Sequence, residues 1–165
     1  MDGKRARQRR YFLSGGTKVT NWNQINRPIL LVEDNPMDID LTKRAFAKRK
    51  LVSSIEIARD GEEALAFLPL WEAGRPLPLL ILLDLKLPKI DGLEVLRQIK
   101  SHPTFNTIPV VVLTSSKEDI DIKTAYELGA NSYIMKPVEF DKFVDVAGNI
   151  DIYWLALNTP PVSES

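Results

Sequence analysis

Five side chains close the apolar runs of this sequence. Glu33 and Asp34 follow "PILLV", Asp84 follows "LLILL", Thr114 follows "IPVVVL", and Lys136 follows "NSYIM". A carboxylate at the end of a buried run is costly to desolvate unless it is paired, reaches water or binds a metal. Singly, each residue has an ordinary structural reading, since Thr favours strands and Lys and Asp favour exposed ends. Gathered at one edge of a sheet, they suit one chemistry. Neighbouring carboxylates repel, and a hard divalent cation relieves the repulsion, with Mg²⁺ preferring oxygen ligands and keeping several waters. A carboxylate can act as nucleophile toward a phosphoryl group, giving an aspartyl-phosphate. The metal and an ammonium would neutralise charge on the phosphoryl oxygens, and a hydroxyl could hydrogen-bond the phosphate in place. Asp84 is thereby read as a phosphoryl acceptor.

Such a gathering needs strands that end together. From Pro28 onward, strand and helix patterns alternate. "PILLVEDN" precedes a helical stripe carrying Ile39, Leu41, Ala45 and Phe46. "SSIEIARD" alternates like a strand, and "GEEALAFL" reads as a short helix closed by Pro69, followed by a loop, "PLWEAGRPLP". The run "LLILLD" precedes a helix around "DGLEVLRQIK", and "IPVVVLTSS" precedes the helix "KEDIDIKTAYELGA", with Gly129 as its stop. "NSYIMKP" is a last strand and "EFDKFVDVAGNIDIYWLAL" a long final helix. Five strands in strict alternation with five helices predict a doubly wound parallel α/β sheet covered on both faces. Ligands of such sheets bind outside the carboxyl ends of the strands.

The expected organisation is a basic N-terminal extension at 1–27, one α/β domain at 28–157 and a polar tail at 158–165. The chain has 165 residues, 44% hydrophobic and 27% charged, with no net charge at pH 7. This neutrality conceals an asymmetry, because residues 1–27 carry seven Lys or Arg against one Asp. "KRARQRR" has no apolar periodicity and reads as a solvated arm or as a start assigned too far upstream. No apolar run approaches the ~20 residues of a membrane span, and the N-terminus has no secretory h-region. The lack of cysteine excludes disulfides and thiolate chemistry and agrees with a cytoplasmic location. His102, the single histidine, reads as a surface-loop residue, and a multi-histidine metal site is excluded.

The motifs "LLVEDNPMD" (30–38), "LLDLKLPKIDGLEVL" (82–96), "PVVVLTSS" (109–116) and "GANSYIMKP" (129–137) together resemble the receiver domain of two-component response regulators. The resemblance implies a flavodoxin-like fold of five strands and five helices. It implies that Asp84 accepts a phosphoryl group from a sensor histidine kinase in a Mg²⁺-dependent reaction. Asp34, Glu33, Asp84 and the backbone carbonyl of Lys86 would form the metal site, with Glu33 acting largely through water. Thr114 and Lys136 would bind the phosphoryl group, Thr114 and Tyr133 would form a switch, and Lys136–Pro137 would be a cis peptide. Tyr133 is also read as an aromatic packing at the sheet edge. The "ILLVEDNPMD" opening, the proline-bearing loop and "DIYWLAL" are most similar to stand-alone receivers serving phytochrome-type photosensory kinases. Position 86 departs from them, being Lys where an amide is common, and this cation could change the lifetime of the acyl phosphate in either direction.

No output domain is expected after the last helix, so output is assigned to surface contacts. Phe140, Phe143, Val144, Ala147 and Trp154 lie near one face of that helix, and Val146, Ile150, Tyr153 and Leu157 widen its apolar part beyond one stripe. A symmetric homodimer through Phe140, Phe143, Ile150, Tyr153 and Trp154, or a tail folded back, would cover it. No enzymatic turnover is expected beyond self-catalysed phosphotransfer and dephosphorylation, and neither nucleic acid nor membrane is an expected partner. A haloacid-dehalogenase-type phosphohydrolase would need an acidic residue at position 86. A fold kept for binding alone would not need the complete set of five tip residues.

Overall fold

A strand covered on both faces reads as a near-continuous apolar run, and the central runs of this chain are apolar up to Thr114, the last residue of one of them. β1 (Ile29–Val32), β3 (Leu80–Leu83) and β4 (Val110–Thr114) are buried throughout, while the edge strands β2 (Ile55–Ala58) and β5 (Ser132–Met135) are only partly so. All pairings are parallel, in the order β2-β1-β3-β4-β5. Val32 pairs with Leu83 and Leu83 with Val112, so the central strands finish side by side. The structure, a computed structural model, describes residues 27–49, 53–137 and 139–159. The N-terminal arm before Arg27 and the tail after Thr159 lie outside the described residues.

The helices are α1 (Pro36–Lys48), α2 (Gly61–Leu65), α3 (Phe67–Glu72), α4 (Gly92–Ser101), α5 (Asp119–Glu127) and α6 (Phe140–Ile150). Side chains alternate across a strand, so each central strand feeds two cores. On one face Ile29, Leu31, Leu82 and Leu113 meet Ile39 and Phe46 of α1 and Phe143, Ala147 and Ile150 of α6. On the other, Leu30, Val32, Ile81 and Val112 meet Ala64, Trp71, Val95, Leu96, Ile99 and Ala125, from α2 to α5. The expected strand–helix alternation is present, with α2 and α3 sharing one crossover.

Three local expectations are corrected. The stretch after Pro69 is not all loop: α3 runs through this proline, which lies in its first turn where the missing N–H has no intrahelical acceptor to lose. Trp71 is consequently a core residue, stacked edge-on against Phe105 with ring centroids 5.4 Å apart. The final helix does not stay regular to Leu157. It ends at Ile150 and continues as a wider π-type coil over Asp151–Leu157, whose last bond runs from the Asn158 amide to the Tyr153 carbonyl at 2.6 Å. No peptide bond among the described residues is cis, so Lys136–Pro137 is trans.

His102 is also more than a loop residue. Its ring stacks on Phe105 at 4.2 Å, its Nδ1 accepts from the amides of Thr104 and Phe105, and its Nε2 contacts Glu72 at 3.0 Å. These contacts tie the end of α4 to α3.

Candidate phosphoryl-acceptor site

The ladder of the sheet continues one residue beyond the strands and so delivers the tip residues to one place. The Asp84 amide donates to the Val32 carbonyl at 3.0 Å, the Glu33 amide to Ala58 at 3.0 Å, and the Lys136 amide to Thr114 at 2.8 Å. Turn chemistry then aims the side chains. Asn35 caps α1 by accepting from the amides of Met37 and Asp38, Pro36 occupies the first helical position, and the Asn35 amide donates to Glu33 Oε1 at 3.1 Å. After Asp84 the chain turns into α4, capped by Asp91 through the Leu93 amide at 2.7 Å.

Glu33, Asp34 and Asp84 each offer a carboxylate oxygen, all within 4.8 Å of one another. Glu33 and Asp84 are buried, at 2% and 7% exposure, and Asp34 is exposed. Lys136 reaches in from the end of β5. Its Nζ lies 2.9 Å from Asp84 Oδ2 and 3.0 Å from Asp38 Oδ2, and it also pairs with Glu33. Asp84 Oδ1 accepts from the Thr114 hydroxyl at 2.8 Å and from the Lys86 amide at 3.3 Å. Burial pushes the Glu33 carboxyl up to about 7, against the hydrogen bond and charge of Lys136. Burial by itself would lower the Lys136 pKa, but its hydrogen bonds to Glu33 and Asp84 outweigh that and raise it. Lys136 therefore stays an ammonium at neutral pH.

Three carboxyl groups, Glu33, Asp38 and Asp84, thus share one ammonium, with Asp34 beside them, and a divalent cation would offset the remaining negative charge. The donors are all oxygen, as Mg²⁺ requires. The residues present therefore fit the metal.

The structure brings together Glu33, Asp34, Asp84, Thr114 and Lys136, the five tip residues read from the sequence. Asp38 joins them although the sequence reading assigned it nothing. Its place in the first turn of α1, three residues after the cap, gave no distinctive signal, since acidic residues are common there. Lys86 sits beside the acceptor through its backbone, but its side chain is ion-paired with Asp121 at 3.3 Å. Tyr133 is partly buried and donates from its hydroxyl to the Ser116 carbonyl at 3.0 Å, in the loop after β4. Of the five residues expected at a dimer surface, Phe143 and Ile150 are placed elsewhere, buried in the core beneath α6 because the helix turns them to the sheet. Phe140 and Tyr153 are exposed and Trp154 is partly buried.

The profile of the response regulator receiver domain matches residues 29–147. The chain belongs to the response regulator receiver family. Among its relatives, the probable methanogenesis regulatory protein FilR2 of Methanothrix harundinacea is 48% identical over 134 residues, which cover 81% of this chain and 86% of FilR2. Response regulator Rcp1 of Synechocystis is 40% identical over 139 residues, 82% of this chain and 93% of Rcp1. Its Mn²⁺-bound crystal structure superposes with a TM-score of 0.75, over 82% of this chain and 99% of that one. The phosphorylated cyanobacterial phytochrome response regulator RcpA gives a TM-score of 0.77 at 42% identity, over 83% and 99% of the two chains. This chain is thus related to phytochrome-associated response regulators. No helix among the described residues is long and apolar enough to cross a membrane.

Proposed function

We propose that this chain is a single-domain response regulator that accepts a phosphoryl group on Asp84 from a sensor histidine kinase. The observation that carries the reading is the placement of the buried Asp84 carboxylate between the Thr114 hydroxyl and the Lys136 ammonium, beside Glu33 and Asp34. An Asp84 carboxylate oxygen would form the new bond to phosphorus. The phosphorus–nitrogen bond of the donor phosphohistidine would break, its electron pair leaving with the imidazole. Thr114 would hydrogen-bond a transferred oxygen, and Lys136 would shift part of its charge from Asp84 to the phosphoryl group. Mg²⁺, held by Asp34, Asp84, the Lys86 carbonyl and, through water, Glu33, would supply Lewis-acid neutralisation of the phosphoryl oxygens.

Thr114 and Tyr133 would form the switch. Both are linked to Ser116, Thr114 through the Ser116 amide at 3.3 Å and Tyr133 through its carbonyl. Output would pass through protein contacts, including a homodimer that uses the exposed Phe140 and Tyr153 with Trp154. The upstream partner is read as a phytochrome-like kinase because RcpA is a cyanobacterial phytochrome response regulator. The similarity to FilR2, a probable methanogenesis regulatory protein by name, favours as a second reading a kinase of another kind.

A phosphotransfer assay tests the reading. A phosphorylated phytochrome-type kinase, mixed with the chain and Mg²⁺, should lose its label to the wild type and keep it when Asp84→Asn is substituted or EDTA is present. Transfer to Asp84→Asn as fast as to the wild type would refute it.

A further inference from the structure

A ring of polar contacts closes on Asp84 through Ser116, Asp121 and the Lys86 side chain, which phosphoryl acceptance leaves without a role. Asp84 Oδ1 accepts from the Thr114 hydroxyl, and Thr114 Oγ1 accepts in turn from the Ser116 amide at 3.3 Å. The Ser116 hydroxyl donates to Asp121 Oδ2 at 2.6 Å, and the same oxygen lies 3.3 Å from Lys86 Nζ. Lys86 leads back to the start, since its amide donates to Asp84 Oδ1 at 3.3 Å. Asp121 stands in the first turn of α5. It therefore joins the acceptor loop after β3 to the loop after β4, where Thr114, Ser116 and the Tyr133 hydroxyl meet.

The two ends of Lys86 differ. Its backbone touches the acceptor, while its side chain is 63% exposed and spends its charge on Asp121, whose side chain is 13% exposed. The Ser116 hydrogen bond, and then the Lys86 ammonium, hold the Asp121 carboxyl below the usual carboxylate range, so it is an anion at neutral pH. Phosphorylation would add about −1.5 to −2 charges at Asp84, where the flexible four-carbon stem of Lys86 begins. Two anionic acceptors would then compete for this ammonium, and the phosphoryl group carries the larger charge.

We propose that Asp121 is a positioning residue for the acceptor site: it holds the Lys86 ammonium on α5 until phosphoryl oxygens on Asp84 take it, and this exchange frees the first turn of α5. The proposal rests on the reading of Asp84 as the phosphoryl acceptor. It answers what the lysine at position 86 does: before phosphorylation its charge belongs to the loop after β4 and to α5. Phosphorylation would then release α5 by an exchange of ion pairs, in addition to any movement of Thr114 and Tyr133.

Beryllium fluoride with Mg²⁺, a stable mimic of a phosphoryl group on a carboxylate, tests this by titration calorimetry on the full chain. Asp121→Asn removes the competing charge and should tighten binding about two- to fivefold, the span of an exposed ion pair. Lys86→Met should weaken it by a similar factor, and the double variant should match Lys86→Met alone. A purely structural role for Asp121 predicts weaker binding on its loss. Unchanged or weaker binding by Asp121→Asn therefore overturns the proposal, and so does equal tightening in the Lys86→Met background. If the wild type binds no better than Asp84→Asn, the acceptor reading itself fails and the exchange falls with it.

Discussion

Lys136 is the residue on which the electrostatics of the site turn. It offsets Glu33, Asp38 and Asp84 together, and two of these carboxyl groups are buried. Removing one partner of a buried ion pair leaves charge without compensation. Lys136→Met should therefore lower the unfolding free energy by about 3 kcal/mol in urea titrations without divalent cation. Mg²⁺ should then stabilise this variant more than the wild type, because the cation replaces the lost ammonium. An equal Mg²⁺ effect on both proteins would contradict this account. At this scale the sequence was informative where a residue closes an apolar run, as Glu33, Asp34, Asp84, Thr114 and Lys136 do. Asp38 and Asp121 were hidden because each sits in the first turn of a helix, where acidic residues are common for reasons of the helix dipole. Only the three-dimensional placement shows that one faces Lys136 and the other Lys86.

At the scale of elements, the site depends on how closely α4 approaches the acceptor strand. A Cβ on Gly92, the first residue of α4, would lie 2.3 Å from the Asp84 carbonyl oxygen and 2.6 Å from Leu85 Cα, both backbone atoms. The atoms nearest to a Cβ on Gly148 in α6 would be those of the Arg49 guanidinium, the far end of a flexible side chain. Gly92→Ala must move the backbone of Asp84, whereas Gly148→Ala needs only a new rotamer of Arg49. Gly92→Ala should cost about 1–3 kcal/mol and slow phosphoryl acceptance. Gly148→Ala should cost less and leave acceptance unchanged. Thermal unfolding and a phosphorylation time course on both variants check the contrast. Helix and strand positions were legible from periodicity because burial imposes it. The extent of α3 was not, since Pro69 usually signals a helix end and is tolerated here only by its place in the first turn. The π-type coil after Ile150 left no mark on the apolar pattern, and it alters which of Tyr153, Trp154 and Leu155 turns outward.

At the scale of the whole molecule, the doubly wound sheet follows from strict strand–helix alternation and from central runs that are apolar up to their tips, where Thr114 closes β4. Surface function is less legible, because a core-facing and an exposed aromatic look alike in one sequence. Phe143 and Ile150 belong to the core under α6, while Ile152, Tyr153 and Leu157 are each about half exposed. A dimer through this end of the chain should be lost on Tyr153→Asp. Sedimentation at matched concentration should show a dimer for the wild type and a monomer for the variant, with phosphoryl acceptance retained by both. An unchanged dimer would move the interface elsewhere.

The central claim, that Asp84 is the phosphoryl acceptor of a metal-dependent site, is tested most directly by intact mass after incubation with acetyl phosphate and Mg²⁺. The account predicts one phosphoryl adduct on the wild type and none on Asp84→Asn or in the presence of EDTA. An adduct that survives Asp84→Asn, or a wild type that stays unmodified by both acetyl phosphate and a phosphorylated kinase, would contradict it.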